Sequence, residues 1–316
     1  MKAVIYRKYG KADVLEWATT QVAKPKPTEI QVKVKAMGLN PKDTAARSGK
    51  VSILSGFRFP KMIGSDFSGV VVKKGAKVTG LEIGDEVFGY LEHLRGGALA
   101  EVLNVNANWV AQKPTKLSHE IAAAIPCAYL TALQGLRDKA RLQKGQKLLI
   151  WGASGGVGIP TIQLAKHFGA EVHTISSSKN KDFCLEQGAD IALGYDEGDF
   201  WEEHKGAIYD AFYQVFIHKG SIFKQSKKVL KPTGVHVTLD PIHMLYTALS
   251  RIEKGPRHEH VMVKAISQDL ALLAQLILDG VLKPHIEKIY QPEQVQEAYT
   301  RLDSSHVQGK LVISLT

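Results

Sequence analysis

The sequence predicts an α/β protein in which a mainly β region precedes a doubly wound parallel sheet. Short alternating runs rich in glycine fill residues 1 to about 120, and strands alternate with helical patterns from Lys147 to Lys264. Strands separated by helices usually pair in parallel, so the second pattern is typical of a sheet with helices on both faces. The strands predicted there are Leu148–Trp151, Val172–Ser176, Ile191–Leu193, Ala207–Tyr213, Val235–Leu239 and Val261–Lys264.

The N-terminal region alternates apolar and polar residues as half-buried antiparallel strands do. The predicted strands are Ile30–Ala36, Gly69–Val72, Glu86–Gly89 and Ala98–Val102. Because turn glycines separate them, we expect a small barrel. The chain also ends on a β pattern, Leu311–Leu315, which predicts that the C-terminus folds back onto this first region.

Helix signals appear between the two β patterns and near the C-terminus. Ser118 is placed to cap a helical run at Ile121–Ile125, and a second run covers Thr131–Leu136. Asp269–Asp279 is apolar nearly all round and predicts a helix buried between layers, ending at Gly280.

A glycine-rich turn directly follows the first strand of the second region. It reads Gly152-x-x-Gly155-Gly156-x-Gly158 and leads into a helical pattern. Glycines let a backbone approach a pyrophosphate closely, and a helix N-terminus binds anions. An ordinary tight strand-to-helix turn would have the same pattern, so the motif alone leaves both interpretations open. The candidate cofactor-binding residues here are Gly152, Ser154, Gly155, Gly156, Val157 and Gly158.

Composition narrows the class of protein and its location. The chain has 316 residues, enough for two domains, and no apolar run approaches the ~20 residues that span a bilayer. Met1–Tyr6 enters a strand pattern without a signal-peptide or transit-peptide signature. Cys127 and Cys184 are too few for a disulfide framework, so we expect a cytoplasmic protein with no membrane contact.

The formal net charge of +10 favours an anionic partner such as a phosphorylated dinucleotide. The basic residues are dispersed and no aromatic residues interleave with a basic stripe, so nucleic acid is not the expected partner.

The end of the second predicted strand bears on which nicotinamide cofactor would bind. NAD-binding folds place a carboxylate there to hold the ribose 2′-hydroxyl. This chain instead has Ser176, Ser177, Ser178 and Lys179, and its next carboxylate is Asp182. Hydroxyls and a lysine would bind a 2′-phosphate, so the sequence favours NADPH, although the serines could also cap the next helix.

Several ordered motifs resemble a known family. They are Gly38-Leu39-Asn40-Pro41-Lys42-Asp43, Pro60-x-x-x-Gly64-x-Asp66-x-x-Gly69-x-Val71, Gly84-Asp85-Glu86-Val87-Phe88-Gly89, Gly96-Gly97-Ala98-Leu99-Ala100-Glu101, Pro126-x-x-x-x-Thr131-Ala132 and Gly309-Lys310-Leu311-Val312-Ile313. Together with the glycine turn, they resemble zinc-independent quinone oxidoreductases of the medium-chain dehydrogenase/reductase superfamily, and the chain end resembles the branch of chloroplast-envelope-type quinone oxidoreductases and enone reductases.

The resemblance implies two domains and a dimer. A GroES-like, mainly β catalytic domain would comprise residues 1–127 and 265–316, and a Rossmann NADPH-binding domain would comprise residues 128–264. The active site would lie in the cleft between them. A homodimer would form through edge strands of the cofactor domains, here near Val261–Lys264.

The resemblance also implies that no metal is bound. The first ligand position of the zinc-dependent relatives corresponds to Asn40, their Gly-His-Glu segment corresponds to Gly64-Ser65-Asp66, and a third ligand position corresponds to Cys127. One thiolate without a histidine or second cysteine cannot hold tetrahedral zinc. His258 and His260 could suggest a metal, but a solvated loop is the simpler interpretation.

Family positions supply the other site candidates. Asn40 and Thr131 are the catalytic candidates, although Asn40 could equally form the turn before Pro41. Asp43 could orient Asn40 or Lys42, but a helix-start role is slightly favoured. Asp43, Phe57 and Tyr129 are the substrate-pocket candidates, with the reservation that aromatic residues more often belong to a core.

Three further cofactor-binding candidates follow later strands: Tyr195, Phe216 and Leu239. Tyr195 fits the family's tyrosine at the adenosine phosphate. The loop containing Phe216 departs from the family, because relatives have Asp-x-Val-Gly-Gly where this chain has bulky residues from Asp210 to His218. We therefore expect an altered nicotinamide site.

The expected function is zinc-independent, NADPH-dependent hydride transfer to a small-molecule quinone or α,β-unsaturated carbonyl compound. Such acceptors delocalise the incoming charge and need no Lewis acid. The alternatives are a non-catalytic, crystallin-like protein that binds NADPH or RNA and a zinc-free alcohol or aldehyde reductase. The loops 52–59 and 239–254 would set which acceptor fits.

Overall fold

The computed structural model describes residues 1–93, 96–206, 208–216, 222–240, 247 and 254–316, apart from the side chain of Leu54. These residues form two compact units. The first unit comprises Met1–Leu130, Lys264–Gly280 and Pro284–Thr316, and the second comprises Thr131–Val263 and Val281–Lys283.

The strands alternate with helices mainly in the second unit. In chain order the strands are β1 (Lys2–Tyr6), β2 (Glu16–Thr19), β3 (Glu29–Gly38), β4 (Lys61–Met62), β5 (Asp66–Lys74), β6 (Glu86–Tyr90), β7 (Val102–Asn106), β8 (Val110–Gln112), β9 (Lys147–Trp151), β10 (Glu171–Ser176), β11 (Ile191–Gly194), β12 (Tyr209–Gln214), β13 (Leu230–Thr238), β14 (Arg257–His260), β15 (Ile286–Tyr290) and β16 (Lys310–Ser314).

The described α-helices range from four to twelve residues in length. They are α1 (Pro41–Arg47), α2 (Ser52–Ser55), α3 (His119–Ala124), α4 (Pro126–Gln134), α5 (Gly158–His167), α6 (Lys181–Glu186), α7 (Phe200–Glu203), α8 (Ile222–Ser226), α9 (Ser267–Leu278) and α10 (Val295–Asp303). The Ser118 hydroxyl accepts a hydrogen bond from the Ile121 N–H at 3.2 Å, which confirms the predicted cap of α3. No described helix has the length and apolar character needed to cross a membrane.

The first unit contains two sheets. The larger has the order β15-β16-β3-β5-β6-β8, with β7 also paired to β3, and the smaller has the order β2-β1-β4. Strand β16 runs antiparallel to β3, with Val312 opposite Gly38. The predicted return of the chain end is therefore confirmed, because β16 completes the sheet that β3 begins.

The second unit is a parallel sheet of six described strands in the order β11-β10-β9-β12-β13-β14. This confirms the predicted doubly wound sheet. Strand β9 lies at its centre, and its Leu148, Leu149 and Ile150 are fully buried. The order reverses between β9 and β12, and crevices at such a point bind ligands beyond the carboxyl ends of the strands.

The last strand of this sheet lies earlier in the chain than predicted. The strand is β14, in register with β13 so that His236 lies opposite His258, and Val261–Lys264 is not a strand. The solvated-loop interpretation of His258 and His260 is also wrong, because both belong to β14 and His258 is fully buried. Its ring packs 5.0 Å from that of His236 and 4.6 Å from that of Phe223. The sequence Arg257–His260 consists of polar residues and therefore did not predict a buried strand. The ring of His258 is buried because it packs against other rings.

Two other predicted elements need correction. Ala98–Val102 is not a strand: β7 begins at Val102, and Ala100 makes a single bridge to Ala3. The helix predicted at Asp269–Asp279 exists as α9, but it is not buried all round, because Leu272 and Leu278 are exposed. Apolar residues on both faces were mistaken for burial on both faces.

Candidate active site

The glycine-rich turn connects the central strand β9 to α5 as a phosphate-binding turn does. Gly152 has a φ of +89°, a backbone conformation that residues with a side chain rarely adopt. A Cβ on Gly158 would lie 2.2 Å from the carbonyl oxygen of Ala153, so the helix can start this close to the strand only with glycine. A Cβ on Gly155 would meet only the Gly152 oxygen, at 3.5 Å. The backbone of Gly155 is therefore open to a ligand.

The turn is tied to the segment that follows β10. The side-chain amide Nδ2 of Asn180 donates a hydrogen bond to the hydroxyl of Ser154 at 3.1 Å. The N–H of Tyr195, just beyond β11, donates to the carbonyl of Ser176 at 3.0 Å. Ser154, Ser176 and Tyr195 therefore lie at the carboxyl ends of the neighbouring strands β9, β10 and β11.

The polar residues after β10 differ in exposure. Ser176 and Ser177 are buried, whereas Ser178 and Lys179 are exposed. The carboxylate of Asp196 accepts hydrogen bonds from the N–H and the hydroxyl of Ser178, at 2.8 and 2.9 Å. The segment directly after β10 has no carboxylate before Asp182, as the sequence indicated, but Asp196 brings one to Ser178 from the segment after β11.

Bulky residues after β12 pack on the glycine turn. A Cβ on Gly152 would lie 3.0 Å from Phe216 and 3.2 Å from Val215. The Phe216 ring is 6.0 Å from that of Trp151, the residue before Gly152. Phe216 thus lies beside the turn. Residues 217–221 fall outside the described part of the chain. Leu239 follows β13, but most of the loop 239–254 also falls outside it.

A second cluster lies in the first unit, around the ammonium group of Lys310. Its Nζ donates to Oδ1 of Asn40 at 2.6 Å, to the carbonyl of Leu39 at 2.8 Å and to Oδ2 of Asp66 at 3.3 Å. The Cys127 N–H donates to Oδ1 of Asp66 at 2.9 Å. Asn40, Asp66 and Lys310 are all buried. Asn40 is thus engaged inside the protein, and sequence reasoning did not single out Lys310 as a site residue.

This donor set does not fit a zinc ion. The positions that correspond to zinc ligands in relatives hold Asn40, Ser65 and Cys127, and an ammonium group lies against the first of them. Burial, together with the charge of Asp66, raises the pKa of the Cys127 thiol to about 11. Zinc binds the thiolate form of cysteine and would be repelled by the ammonium. Nowhere in the described residues do three metal-binding side chains gather.

Asp43 organises the start of α1. It accepts hydrogen bonds from the Asn40 N–H at 3.1 Å and from the Ser65 hydroxyl at 2.6 Å. Burial raises the pKa of its carboxyl to about 6, against the opposing charge of Lys42. Asp43, Lys42 and Ser65 line a cavity of about 10 Å³, room for one water molecule. The bond to the Asn40 N–H is the helix-start interaction predicted for Asp43, and it involves the backbone of Asn40 rather than its side chain.

Lys42 and Tyr90 form a pair that sequence reasoning missed. The Nζ of Lys42 donates to the Tyr90 hydroxyl at 2.8 Å and to the Leu91 carbonyl at 3.0 Å. Lys42 is half-buried and Tyr90 is buried. Lys42 belongs to the Asn-Pro-Lys-Asp motif, which was the available signal. Tyr90 gave none, because an aromatic residue at a strand end usually packs in a core.

The remaining candidates have different surroundings. Phe57 is 68% exposed, whereas Tyr129 is 2% exposed. Thr131 is buried on α4, and its carbonyl accepts a hydrogen bond from the Tyr213 hydroxyl at 2.8 Å. Tyr129 and Thr131 are therefore buried, whereas Phe57 is exposed.

Comparison with known proteins bears on this arrangement. The family model described as alcohol dehydrogenase GroES-like domain matches residues 26–115, and the one described as zinc-binding dehydrogenase matches residues 187–313. The chain is 30% identical to the chloroplast envelope quinone oxidoreductase homolog of Arabidopsis thaliana, over 99% of this chain and 98% of that protein. The chain belongs to the quinone oxidoreductase family of the medium-chain dehydrogenase/reductase superfamily.

Other members of the superfamily match along the whole chain. The 2-methylene-furan-3-one reductase of Solanum lycopersicum is 35% identical, over 99% of this chain and 79% of that protein. The quinone oxidoreductase of Coxiella burnetii is 31% identical with a TM-score of 0.90, over 100% of this chain and 99% of that one. The Escherichia coli quinone oxidoreductase complexed with NADPH is 25% identical with a TM-score of 0.86, over 99% of this chain and 100% of that one.

Proposed function

We propose that the protein is a zinc-independent reductase that uses NADPH to reduce quinones or α,β-unsaturated carbonyl compounds. The observation that carries the proposal is the Lys310 ammonium group bonded to Asn40 and Asp66. Its positive charge supports the proposal because Asn40 is the residue that, by the resemblance, corresponds to the first zinc-ligand position of the zinc-dependent enzymes. A reaction at this site would therefore use acceptors that spread the incoming charge over a conjugated system.

The proposed acceptors agree with the names of the relatives. Two of them are quinone oxidoreductases, and another reduces a methylene-furanone, whose carbonyl is conjugated with a carbon–carbon double bond. Quinones and enones share that conjugation, so one type of site could serve both. A simple alcohol or aldehyde lacks it and would need more help from the protein.

The proposed cofactor is NADPH, which supplies the hydride when bound. The turn from Gly152 to Gly158 would hold its pyrophosphate, and Ser177, Lys179 and Tyr195 would hold its adenosine end. The NADPH complex of the E. coli relative supports the choice of dinucleotide. Phe216 would lie beside the pyrophosphate-binding turn, next to its first glycine.

We propose that the Nζ of Lys42 donates the proton that the acceptor takes up after hydride transfer. This ammonium is half-buried, lies 2.8 Å from the Tyr90 hydroxyl and borders the small cavity beside Asp43 and Ser65. Lys42 could therefore protonate a reduced acceptor, while Tyr90 orients it. Asn40 is a positioning residue in this scheme, because Lys310 and Asp43 already engage its side chain and its backbone.

NADPH oxidation at 340 nm with 1,4-benzoquinone or 3-penten-2-one tests the proposal. We expect turnover with at least one acceptor and no loss of rate with excess 1,10-phenanthroline. We expect kcat to be about a hundredfold or more lower in Lys42→Met, the usual scale of proton-transfer contributions. Lys288→Met, an exposed lysine outside the cluster, is the control. Turnover that needs zinc, or no turnover with any acceptor, contradicts the proposal.

We also propose a cytoplasmic homodimer. Cys127 and Cys184 are not joined by a disulfide, as a reducing compartment favours. Strand β14 is an edge strand among the described strands of its sheet and could pair with a second copy. Light scattering of the purified protein at micromolar concentration would give the mass of a dimer, and a monomer mass would contradict this proposal.

A further inference from the structure

The segments after β10 and β11 are joined by hydrogen bonds to carboxylates. The two carboxylate oxygens of Asp196 accept hydrogen bonds from Ser178, one from its N–H and the other from its hydroxyl. The next residue, Glu197, accepts from Lys181 at 2.9 Å and from the N–H of Gly194 at 3.1 Å. Two donors and one cation near the end of β10 are therefore already paired with carboxylates.

These are the groups that a 2′-phosphate would use. In a doubly wound fold the residues after the second strand face the ribose 2′ position, and hydroxyl, N–H and ammonium groups there bind a phosphate. The side chains of Ser178, Lys179 and Asp196 are all exposed, so a ligand can reach them. Lys179 supplies the cation of this turn, and Asp196 brings a negative charge to its neighbour.

The charge of Asp196 persists at physiological pH. The hydrogen bond from the Ser178 N–H, assisted by the Ser178 hydroxyl, holds the pKa of this carboxyl below its usual range. A phosphate dianion entering at Ser178 would face this carboxylate and compete with it for both donors. A neutral 2′-hydroxyl would meet no charge repulsion from this carboxylate.

We propose that Asp196 is a specificity-determining residue of the cofactor site, which weakens the binding of dinucleotides with a 2′-phosphate and leaves those with a 2′-hydroxyl unaffected. This inference rests on the proposed use of NADPH and deepens it. The chain holds NADPH through Lys179 and the glycine turn, with Asp196 opposing the 2′-phosphate. The protein's ratio of dissociation constants for NADH and NADPH is therefore smaller than the serines and the lysine alone would give.

The test measures dissociation constants by dinucleotide fluorescence titration, without any hydride acceptor. In Asp196→Asn the amide oxygen can still accept from Ser178 while the charge is removed. We expect NADPH to bind about fivefold more tightly to this variant, as removal of one exposed like charge allows, and NADH to stay within about twofold. Adenosine 2′,5′-bisphosphate and AMP, used as competitors, should reproduce the difference because they isolate the 2′-phosphate.

Asp182→Asn is the matched control, because it removes an equally exposed carboxylate from the first turn of α6. It should change neither affinity by more than about twofold. The inference is overturned if Asp196→Asn leaves NADPH binding unchanged, if it tightens both dinucleotides alike, or if Asp182→Asn has the same effect. If the wild-type protein binds neither dinucleotide, the inference and the proposed function both fall. If NADPH binds and an acceptor is reduced but Asp196→Asn has no effect, only the inference falls.

Discussion

The Nζ of Lys310 lies 2.6 Å from Oδ1 of Asn40, across 270 positions of sequence. The two residues meet because β16 pairs with β3, which places the start of β16 next to the end of β3 and the first turn of α1. Asp66, the first residue of β5, completes the group from the other side of β3. Three strands of one sheet thus carry a buried ammonium, a carboxylate and an amide to one point.

Replacement of Lys310 by Met should strongly destabilise the first unit. The variant would leave the fully buried carboxylate of Asp66 without its cation. Removing one partner of a buried ion pair typically costs roughly 3–5 kcal/mol. Urea unfolding followed by circular dichroism measures the free energy of unfolding, and the addition of Asp66→Asn to Lys310→Met should recover part of the loss.

Lys288→Met is the comparison for this variant. Its ion pair with Glu297, at 2.8 Å, joins two side chains that are each about half exposed. Exposed pairs of this kind contribute little to stability because water and salt screen them, so this variant should unfold close to the wild type. Equal losses for the two variants would show that Lys310 does not hold a buried charge pair.

Two glycines of the turn should separate folding from cofactor binding. Gly158→Ala would place a Cβ 2.2 Å from the Ala153 oxygen, so the backbone must move and the second unit should be destabilised. Gly155→Ala meets only one atom, at 3.5 Å, and should fold normally. Its methyl group would instead occupy the surface proposed for the pyrophosphate, and NADPH should bind at least about tenfold more weakly.

Thermal unfolding and NADPH titration of both glycine variants provide the measurement. Gly145→Ala is a surface comparison, since a Cβ there meets nothing within 4 Å, although its φ of +82° adds some strain. Undiminished NADPH binding by Gly155→Ala would remove the turn from the proposed cofactor site.

The local signals predicted the second unit well. The strand, glycine turn and helix from β9 to α5 are contiguous, and their apolar periods and glycines reflect constraints within about 20 residues. The prediction missed strand β14 for a related reason. Arg257–His260 is a polar segment, and its burial depends on packing against β13 and Phe223. No pattern within four residues carries that information.

The site was predictable only where one motif holds both partners. Asn40 and Asp43 lie in one motif and are joined by a hydrogen bond. Lys310 belongs to a different motif, and its hydrogen bond to Asn40 depends on the pairing of strands from the two ends of the chain. Asp196 reaches Ser178 across 18 positions because β10 and β11 are neighbours. Such contacts follow from topology, which periodicity does not report.

Asp43 should make stability fall as pH rises through mild acid. Burial raises the pKa of its carboxyl to about 6 in the native protein, above the value of about 4 in an unfolded chain. Between these values the native state binds more protons than the unfolded state, so the free energy of unfolding decreases with pH. The full effect is about 3 kcal/mol, present below pH 4 and lost above pH 6.

Asp43→Asn removes this titration, so the measured quantity is the difference in unfolding free energy between the wild type and the variant at pH 4.5, 5.5, 6.5 and 7.5. The wild type should lose stability relative to Asp43→Asn as pH rises. Asp190 is the control of opposite sign: although burial opposes it, hydrogen bonds from Lys166 and the Val172 N–H lower the pKa of its carboxyl. Relative to Asp190→Asn, the wild type should therefore keep a constant stability between pH 4.5 and 7.5 and lose stability only when one further measurement is made below about pH 4. A difference between the wild type and Asp43→Asn that stays constant from pH 4.5 to 7.5 would mean that Asp43 is held by its hydrogen bonds as an anion rather than as a neutral acid.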